Sequence, residues 1–245
     1  MGGATPLAND FLFATAGNGW HLDRNAFDRM LATEAKRRGV RLSLHTRWGE
    51  ARCAARFVVD ATGTAQLARR RGARFVAVDQ LVGFTRFFAS DPCADPRTLV
   101  EAFADGWWYT AGLPDGGRVA ACLTDAHLAR RMRLADAGEW NGRLAAMPVI
   151  GAMLRGACPR GPVVVRPAQS RHLAPVAADD WLAVGDAAAG FDPLSSQGIV
   201  KALRSGIYAG YAIGDLLTRG DDTGLRRYRR FVRGELESYA RARAK

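Results

Sequence analysis

Two short apolar runs end in the same way. Phe57-Val58-Val59 stops at Asp60-Ala61-Thr62-Gly63, and Trp181-Leu182-Ala183-Val184 stops at Gly185-Asp186. Runs of this length, cut off by a polar residue and a glycine, predict buried strands that deliver their last residues to a sheet's carboxyl edge. A helical repeat lies on either side of them. Asp23 stands as N-cap before Phe27, Met30, Leu31 and Ala35, with Gly39 as a stop, and Val40-Arg41-Leu42-Ser43-Leu44 then alternates as a strand. Beyond the second run, Pro193 with Ser195 and Ser196 predicts a helix start, and Ile199, Ala202, Leu203, Ile207, Ala209, Ile213 and Leu216 continue at helical spacing. A last helix spans 223–244, with Leu225, Tyr228, Phe231, Val232 and Leu236 as its apolar face.

The pattern changes between 74 and 175. Apolar segments at 75–78, 81–89, 107–113 and 118–124 predict a mostly antiparallel sheet, with helical pieces around 96–105, 125–133 and 139–154 and a return strand at Val163-Val164-Val165. Nearer the start, Phe11-Leu12-Phe13 and Trp20-His21-Leu22 flank the turn Ala16-Gly17-Asn18-Gly19 as a hairpin or strand pair.

Composition narrows the function classes. With 48% hydrophobic residues over 245 positions the chain can bury a sizeable core. No apolar run reaches the ~18 residues of a membrane span, and no signal-type segment opens the chain, so a cytoplasmic location is expected. Cys53, Cys93, Cys122 and Cys158 show no metal-ligand spacing, so reduced thiols and no metal are expected. The formal charge of +11 is spread along helical segments instead of one stripe, which argues against nucleic acid and leaves an acidic protein partner as a candidate. His21, His45, His127 and His172 are dispersed and read as structural.

The stretch from Trp181 to Ile199 carries the strongest chemical signal. Ligands of open α/β sheets bind at the carboxyl ends of strands. Asp186 falls there, followed by Ala187-Ala188-Ala189, which leave room beside the backbone. A helix N-terminus then offers free amides to an anionic group. Taken singly, Gly-Asp is also a plain turn and Asp-Pro-x-Ser-Ser a generic helix entry.

The order strand, Gly185-Asp186, small residues, Asp192-Pro193-x-Ser195-Ser196-Gln197-Gly198 and helix resembles the second FAD-binding motif of flavoprotein monooxygenases of the p-hydroxybenzoate hydroxylase and halogenase superfamily. Within it, the likeness is greatest to tryptophan-halogenase-like proteins that include quinone-cofactor maturation enzymes. Two further elements follow the same order. Gly17 through Asp28 is similar to a segment whose arginine, here Arg24, lies near the FAD, and Ala61-Thr62-Gly63 resembles an element beside the dinucleotide. A local pair of Arg24 with Asp23 or Asp28 is the structural alternative. The resemblance implies that Asp186 bonds ribityl hydroxyls and that Pro193, Ser195, Ser196, Gln197 and Gly198 face the flavin's pyrimidine edge. It also implies that Trp107, Trp108 and Tyr109 lie on the substrate side, although aromatic residues on a strand also serve as core.

The resemblance predicts an α/β fold: an FAD/NAD(P)-binding Rossmann-like domain, N-terminally incomplete, interleaved with a mostly antiparallel substrate domain. Residues 1–73 and 176–220 form the first part and the second part of the FAD-binding domain, 74–175 the substrate domain and 221–245 a C-terminal helix. The family's Gly-x-Gly-x-x-Gly unit is not among these residues, so exposed apolar sheet edges are expected, and with them poor solubility or dependence on a partner. The implied activity is FAD-dependent monooxygenation of a small aromatic or peptide-borne substrate through a flavin C4a-hydroperoxide, supplied with electrons by NAD(P)H or a flavin reductase. No catalytic acid or base is identifiable. A halogenase or reductase on the same scaffold is the first rival, though neither the Trp-x-Trp-x-Ile-Pro motif nor a fitting lysine is present. A non-catalytic, partner-binding remnant is the second.

Overall fold

The computed structural model describes residues 21–46, 55–65, 67–89 and 95–243. Both apolar runs form strands, β1 (Val58–Asp60) and β9 (Trp181–Ala183), and these pair in parallel with Val58 opposite Trp181. The two turns at their carboxyl ends therefore lie side by side. Hydrogen bonds from Val58 N–H to Asp180 C=O and from Val184 N–H to Asp60 C=O direct alternate backbone groups of β1 toward β9. Those of Val59 consequently face the other way, and Val59 is 43% exposed. Among the described residues no strand pairs with that edge of β1.

The antiparallel half has five strands in the order β4-β5-β6-β3-β7, with β3 Leu81–Phe88, β4 Leu99–Phe103, β5 Gly106–Gly112, β6 Arg118–Asp125 and β7 Pro159–Pro167. Helices α2 (Ala126–Arg131), α3 (Ala137–Ala145) and α4 (Ile150–Met153) accompany it. Asp136 caps α3 by accepting from the amides of Gly138 and Glu139. That cap fixes the turn that drives Trp140, fully buried, onto the sheet, where its Nε1–H donates to Phe84 C=O at 3.0 Å. The indole meets Trp108 edge-on at 5.1 Å. A smaller sheet of β2 (Arg74–Ala77), β8 (Arg171–Ala174) and β10 (Ala189–Gly190), in the order β10-β8-β2, links the two halves.

Three expectations are corrected. The segment expected to be helical at 96–105 forms strand β4, which pairs Phe103 with Gly106 across the two-residue loop Ala104-Asp105. A hairpin wins over helix because burial alternates there, with Leu99, Glu101 and Phe103 half-buried and Val100 and Ala102 exposed, and the Glu101 side chain accepts from the amides of Val149 and Ile150 at the start of α4. The strand expected at Val40–Leu44 is irregular chain. Val40 and Leu44 are 51% and 70% exposed, so alternation there has no face to bury. The helix expected from Pro193 begins instead at Gly198. Asp192 caps a single tight turn over Pro193–Ser195, and Ser196 at φ +52 breaks it before α5 (Gly198–Arg219) starts. The hairpin expected around residues 11–22 lies mainly outside the described residues, as do Gly17, Cys53 and Cys93.

Helix α5 turns an unexpected face inward. Lys201, Ser205, Ala209 and Ala212 are buried, whereas Leu203 and Ile207 are 42% and 58% exposed beside Val200 and Tyr211. Small residues win the inner positions because the helix crosses its neighbours closely. At Gly224, an added Cβ would lie 2.7 Å from Ala212 Cα. That glycine belongs to α6 (Thr223–Arg243), whose Tyr228 hydroxyl donates to Ala183 C=O at 2.5 Å and ties the helix to β9. Helix α1 (Arg24–Arg37), capped as expected by Asp23, buries no residue. None of the described helices is long and apolar enough to cross a membrane.

Candidate functional site

The turns after β1 and β9, the start of α5, the start of α1 and the open face of β5 surround one cavity of about 820 Å³. This is the size range of small-molecule and cofactor sites. Its position, at the carboxyl ends of a parallel strand pair, is where a ligand can approach backbone instead of side chains.

Strand β9 hands the chain to Gly185 at φ +56. This left-handed turn brings the next residue, Asp186, to the cavity with its side chain 56% exposed. Gly185 also approaches α5 closely. Its N–H donates to Ser205 Oγ at 2.9 Å, and an added Cβ would lie 3.3 Å from Ala202 Cβ. Gly63, at φ +60, lines the cavity from the other turn. The geometry of that turn comes from Asp60, which is 2% exposed and accepts from Thr62 N–H (3.0 Å), Thr62 Oγ1–H (2.6 Å) and Ala68 N–H (2.7 Å). The Thr62 hydroxyl is thus committed to Asp60.

Pro193, Ser196 and Gly198 also line the cavity. Within the preceding turn, Ser195 N–H donates to Asp192 Oδ1, Ser195 Oγ–H to Asp192 C=O, and Ser196 N–H to Pro193 C=O. The first bond of the α5 ladder runs from Lys201 N–H to Gln197 C=O at 2.9 Å. The amides of Gly198, Ile199 and Val200 therefore have no intrahelical partner. Arg24 and Asp28 stand at the opposite wall. They approach each other at 3.4 Å with both side chains about 60% exposed, a contact too solvated to hold the guanidinium fast. Of the three aromatic residues on β5, Tyr109 faces the cavity with Val119 and Leu113, and burial holds its phenol above its ordinary pKa against the opposing charge of Arg118. Trp108 lies on the other face, 1% exposed beneath α3. Trp107 shares the Tyr109 face by strand alternation but is not at the cavity wall. His21 does reach that wall, its Nε2 3.1 Å from Thr98 Oγ1.

Two groups of residues that carry the site give little sign of themselves along the chain. Lys201 lies under Asp186 with its ammonium 3.0 Å from Oδ1. The second group is a clasp from the end of α6. Tyr239 stacks on Phe191 at 4.3 Å with rings 4° from parallel, and its hydroxyl bonds Asp192 and, at 2.6 Å, Ser170. Arg243 donates to Asp79, and at 3.0 Å to Ser170 Oγ. Burial pushes the Asp79 carboxyl up, but bonds from Arg243, Ser170 and Leu81 outweigh it and leave the group below its ordinary pKa. Burial and the bond to Asp192 hold the Tyr239 phenol above its own. The clasp pins the loop that closes one side of the cavity. Tyr239→Phe keeps the ring stack but removes the shared hydroxyl. It should destabilise the protein by roughly 2 kcal/mol, about 4–8 °C in Tm, with the 191–197 loop more readily cleaved by protease. A variant that melts and resists cleavage like the parent would show that the clasp carries no load.

Cys122 is buried, its thiol pushed up to about 12 by burial, and Cys158 is exposed. Among the described residues no cluster of His, Cys, Asp and Glu has the makings of a metal site.

No family model matches the chain. Over 224 residues it is 33% identical to LodB of Marinomonas mediterranea, a protein named as an FAD-dependent oxidoreductase; the match covers 82% of this chain and 61% of LodB. The myxobacterial chondrochloren halogenase CndH superposes with a TM-score of 0.80 at 21% identity, over 94% of this chain and 61% of that one. QhpG, a peptidyl tryptophan dihydroxylase of tryptophylquinone cofactor biogenesis, superposes at 0.64 with 27% identity, over 89% and 52%. The chain spans about three-fifths of LodB and CndH. In sequence and fold the chain is similar to proteins of the FAD-dependent monooxygenase and halogenase-like superfamily.

Proposed function

We propose that the cavity holds the flavin end of FAD and that the protein is an FAD-dependent oxidoreductase, in its simplest form a monooxygenase of an aromatic substrate. The convergence of the Asp186 carboxylate and the open amide end of α5 on one cavity carries this reading. A carboxylate accepts from the hydroxyls of a ribityl chain. The amides of Gly198 and Ile199, at the positive end of a 22-residue helix, suit the negative charge that a reduced flavin holds near N1 and its C2 carbonyl. Gly63 and Gly185 let a planar group approach backbone directly, and Arg24 supplies a mobile cation for the diphosphate. Ser195 and Gln197 serve that end indirectly, by shaping the turn and by starting the ladder.

Bound FAD supplies the redox chemistry, with electrons from NAD(P)H or a flavin reductase; the chain binds, orients and excludes water. Tyr109, Leu113 and Val119 form an apolar wall against which an aromatic ring packs, and the raised Tyr109 phenol stays protonated as a donor. The likeness to QhpG supports a ring borne on a peptide as one form of this substrate. Halogenation is less favoured. Lys201 has its ammonium buried against Asp186 and Ala189 C=O and is not free to meet a substrate.

Titration with FAD tests the reading. Binding should quench flavin fluorescence and, at a hundredfold excess over Kd, stabilise the protein by about 2.7 kcal/mol. Asp186→Ala removes the acceptor for one or two hydroxyls and should weaken FAD about 10- to 100-fold. A wild-type protein that neither quenches nor gains Tm with FAD would leave the partner-binding reading in its place.

A further inference from the structure

Lysine is almost never buried without a partner, because its ammonium loses the hydration that stabilises it. Lys201 is 5% exposed, on the inner face of α5. Its ammonium donates to Asp186 Oδ1 at 3.0 Å and to Ala189 C=O, and it lies 4.2 Å from the centroid of Phe191, whose ring is stacked on Tyr239. An apolar residue at this position would fill the same space between α5 and β10 at no desolvation cost. The lysine therefore answers to something other than packing. What the ammonium touches supplies the reason: the exposed carboxylate at the cavity, the backbone carbonyl that starts β10, and the aromatic ring that opens the 191–197 loop. One cation ties together the three pieces of chain that shape this side of the cavity.

We propose that Lys201 is a positioning residue that fixes the Asp186 carboxylate at the cavity mouth and acts on the ligand only through Asp186. Burial leaves the Lys201 pKa below its ordinary value, with Asp186 first and Glu235 second opposing the fall. Asp186 is the half of the pair with access to water, so the two residues are unequal. Losing Asp186 strands a buried charge, whereas losing Lys201 leaves a carboxylate that water can solvate but nothing aims.

The effect on FAD rests on the flavin reading; the pairing itself does not. Both are read from Lys201→Met, Asp186→Ala and the double variant. In ligand-free protein, Asp186→Ala should lower Tm by roughly 5–10 °C, and adding Lys201→Met should recover at least half of that loss. In FAD titrations, Lys201→Met should weaken binding about tenfold when Asp186 is present and less than about twofold when it is absent. Losses that simply add in the ligand-free melts would overturn the positioning role, since a merely structural lysine gives additive damage. Recovery in the melts with an undiminished FAD affinity for Lys201→Met would overturn its action on the ligand. A wild-type protein blind to FAD would defeat the flavin reading, with the melts still deciding the pair.

Discussion

Trp140→Ala should unfold the antiparallel half of the protein at a temperature about 10 °C or more below the parent. Trp140 is fully buried, packs edge-on against Trp108 at 5.1 Å and beside Phe88 at 6.3 Å, and donates its indole N–H to Phe84 C=O. Truncating a buried tryptophan costs about 3–5 kcal/mol through lost transfer energy and the cavity left behind. The Phe84 carbonyl also loses its donor, and at roughly 2–4 °C per kcal/mol for a chain of this size the total sets the expected shift. Trp140→Phe separates the parts. It keeps most of the packing and should cost about a third as much, chiefly the hydrogen bond. Thermal and urea unfolding followed by tryptophan fluorescence checks both. Equal losses for the two variants would mean that the hydrogen bond, not the packing, holds α3 on the sheet. Because Tyr109 and Val119 belong to the opposite face of this sheet, Trp140→Phe should leave FAD affinity unchanged.

How much of this was legible beforehand depended on how far each residue's partners lie along the chain. The strand ends at Asp60 and Gly185 were readable because the signal is local: an apolar run, a polar residue and a glycine that the turn needs at φ +60 or +56. The cap of α1 at Asp23 was readable for the same reason. The clasp was not, because Tyr239 meets Asp192 and Ser170 across 47 and 69 positions, and nothing near Tyr239 announces either partner. Asp60 reads in the sequence only as the polar residue that ends the strand, whereas its carboxylate builds the Thr62-Gly63 turn. Thr62 is expected at the cofactor through its hydroxyl, and that hydroxyl donates to Asp60 inside the turn. Lys201 did leave a trace. It is one of three lysines in an arginine-rich chain and falls in register with Ser205, Ala209 and Ala212, the inner stripe of α5. Larger apolar residues at 203 and 207 drew the expected face to the wrong side, because hydrophobic periodicity ranks bulk, whereas close helix crossings select small side chains.

Gly185→Val should both destabilise the protein by roughly 3 kcal/mol or more and abolish FAD binding. The backbone at φ +56 is open to glycine but is an outlier for a β-branched residue, a penalty of about 1–3 kcal/mol. The added Cβ would sit 3.3 Å from Ala202 Cβ and 3.6 Å from Ala202 Cα, and the two γ-methyls add bulk at this close crossing. If the backbone relaxes to negative φ, Gly185 N–H leaves Ser205 Oγ and Asp186 is re-aimed; if it does not, α5 is pushed off β9. Either response breaks the alignment of Asp186 with the first amides of α5. Gly185→Ala separates strain from crowding. It keeps the backbone penalty of about 1–2 kcal/mol, and Ala202 need yield only a few tenths of an ångström. FAD affinity should therefore fall severalfold for alanine and beyond detection for valine, in the order of their ligand-free Tm values. A valine variant that melts within about 2 °C of the parent and titrates like it would show that neither the left-handed turn nor the close crossing is needed to present Asp186.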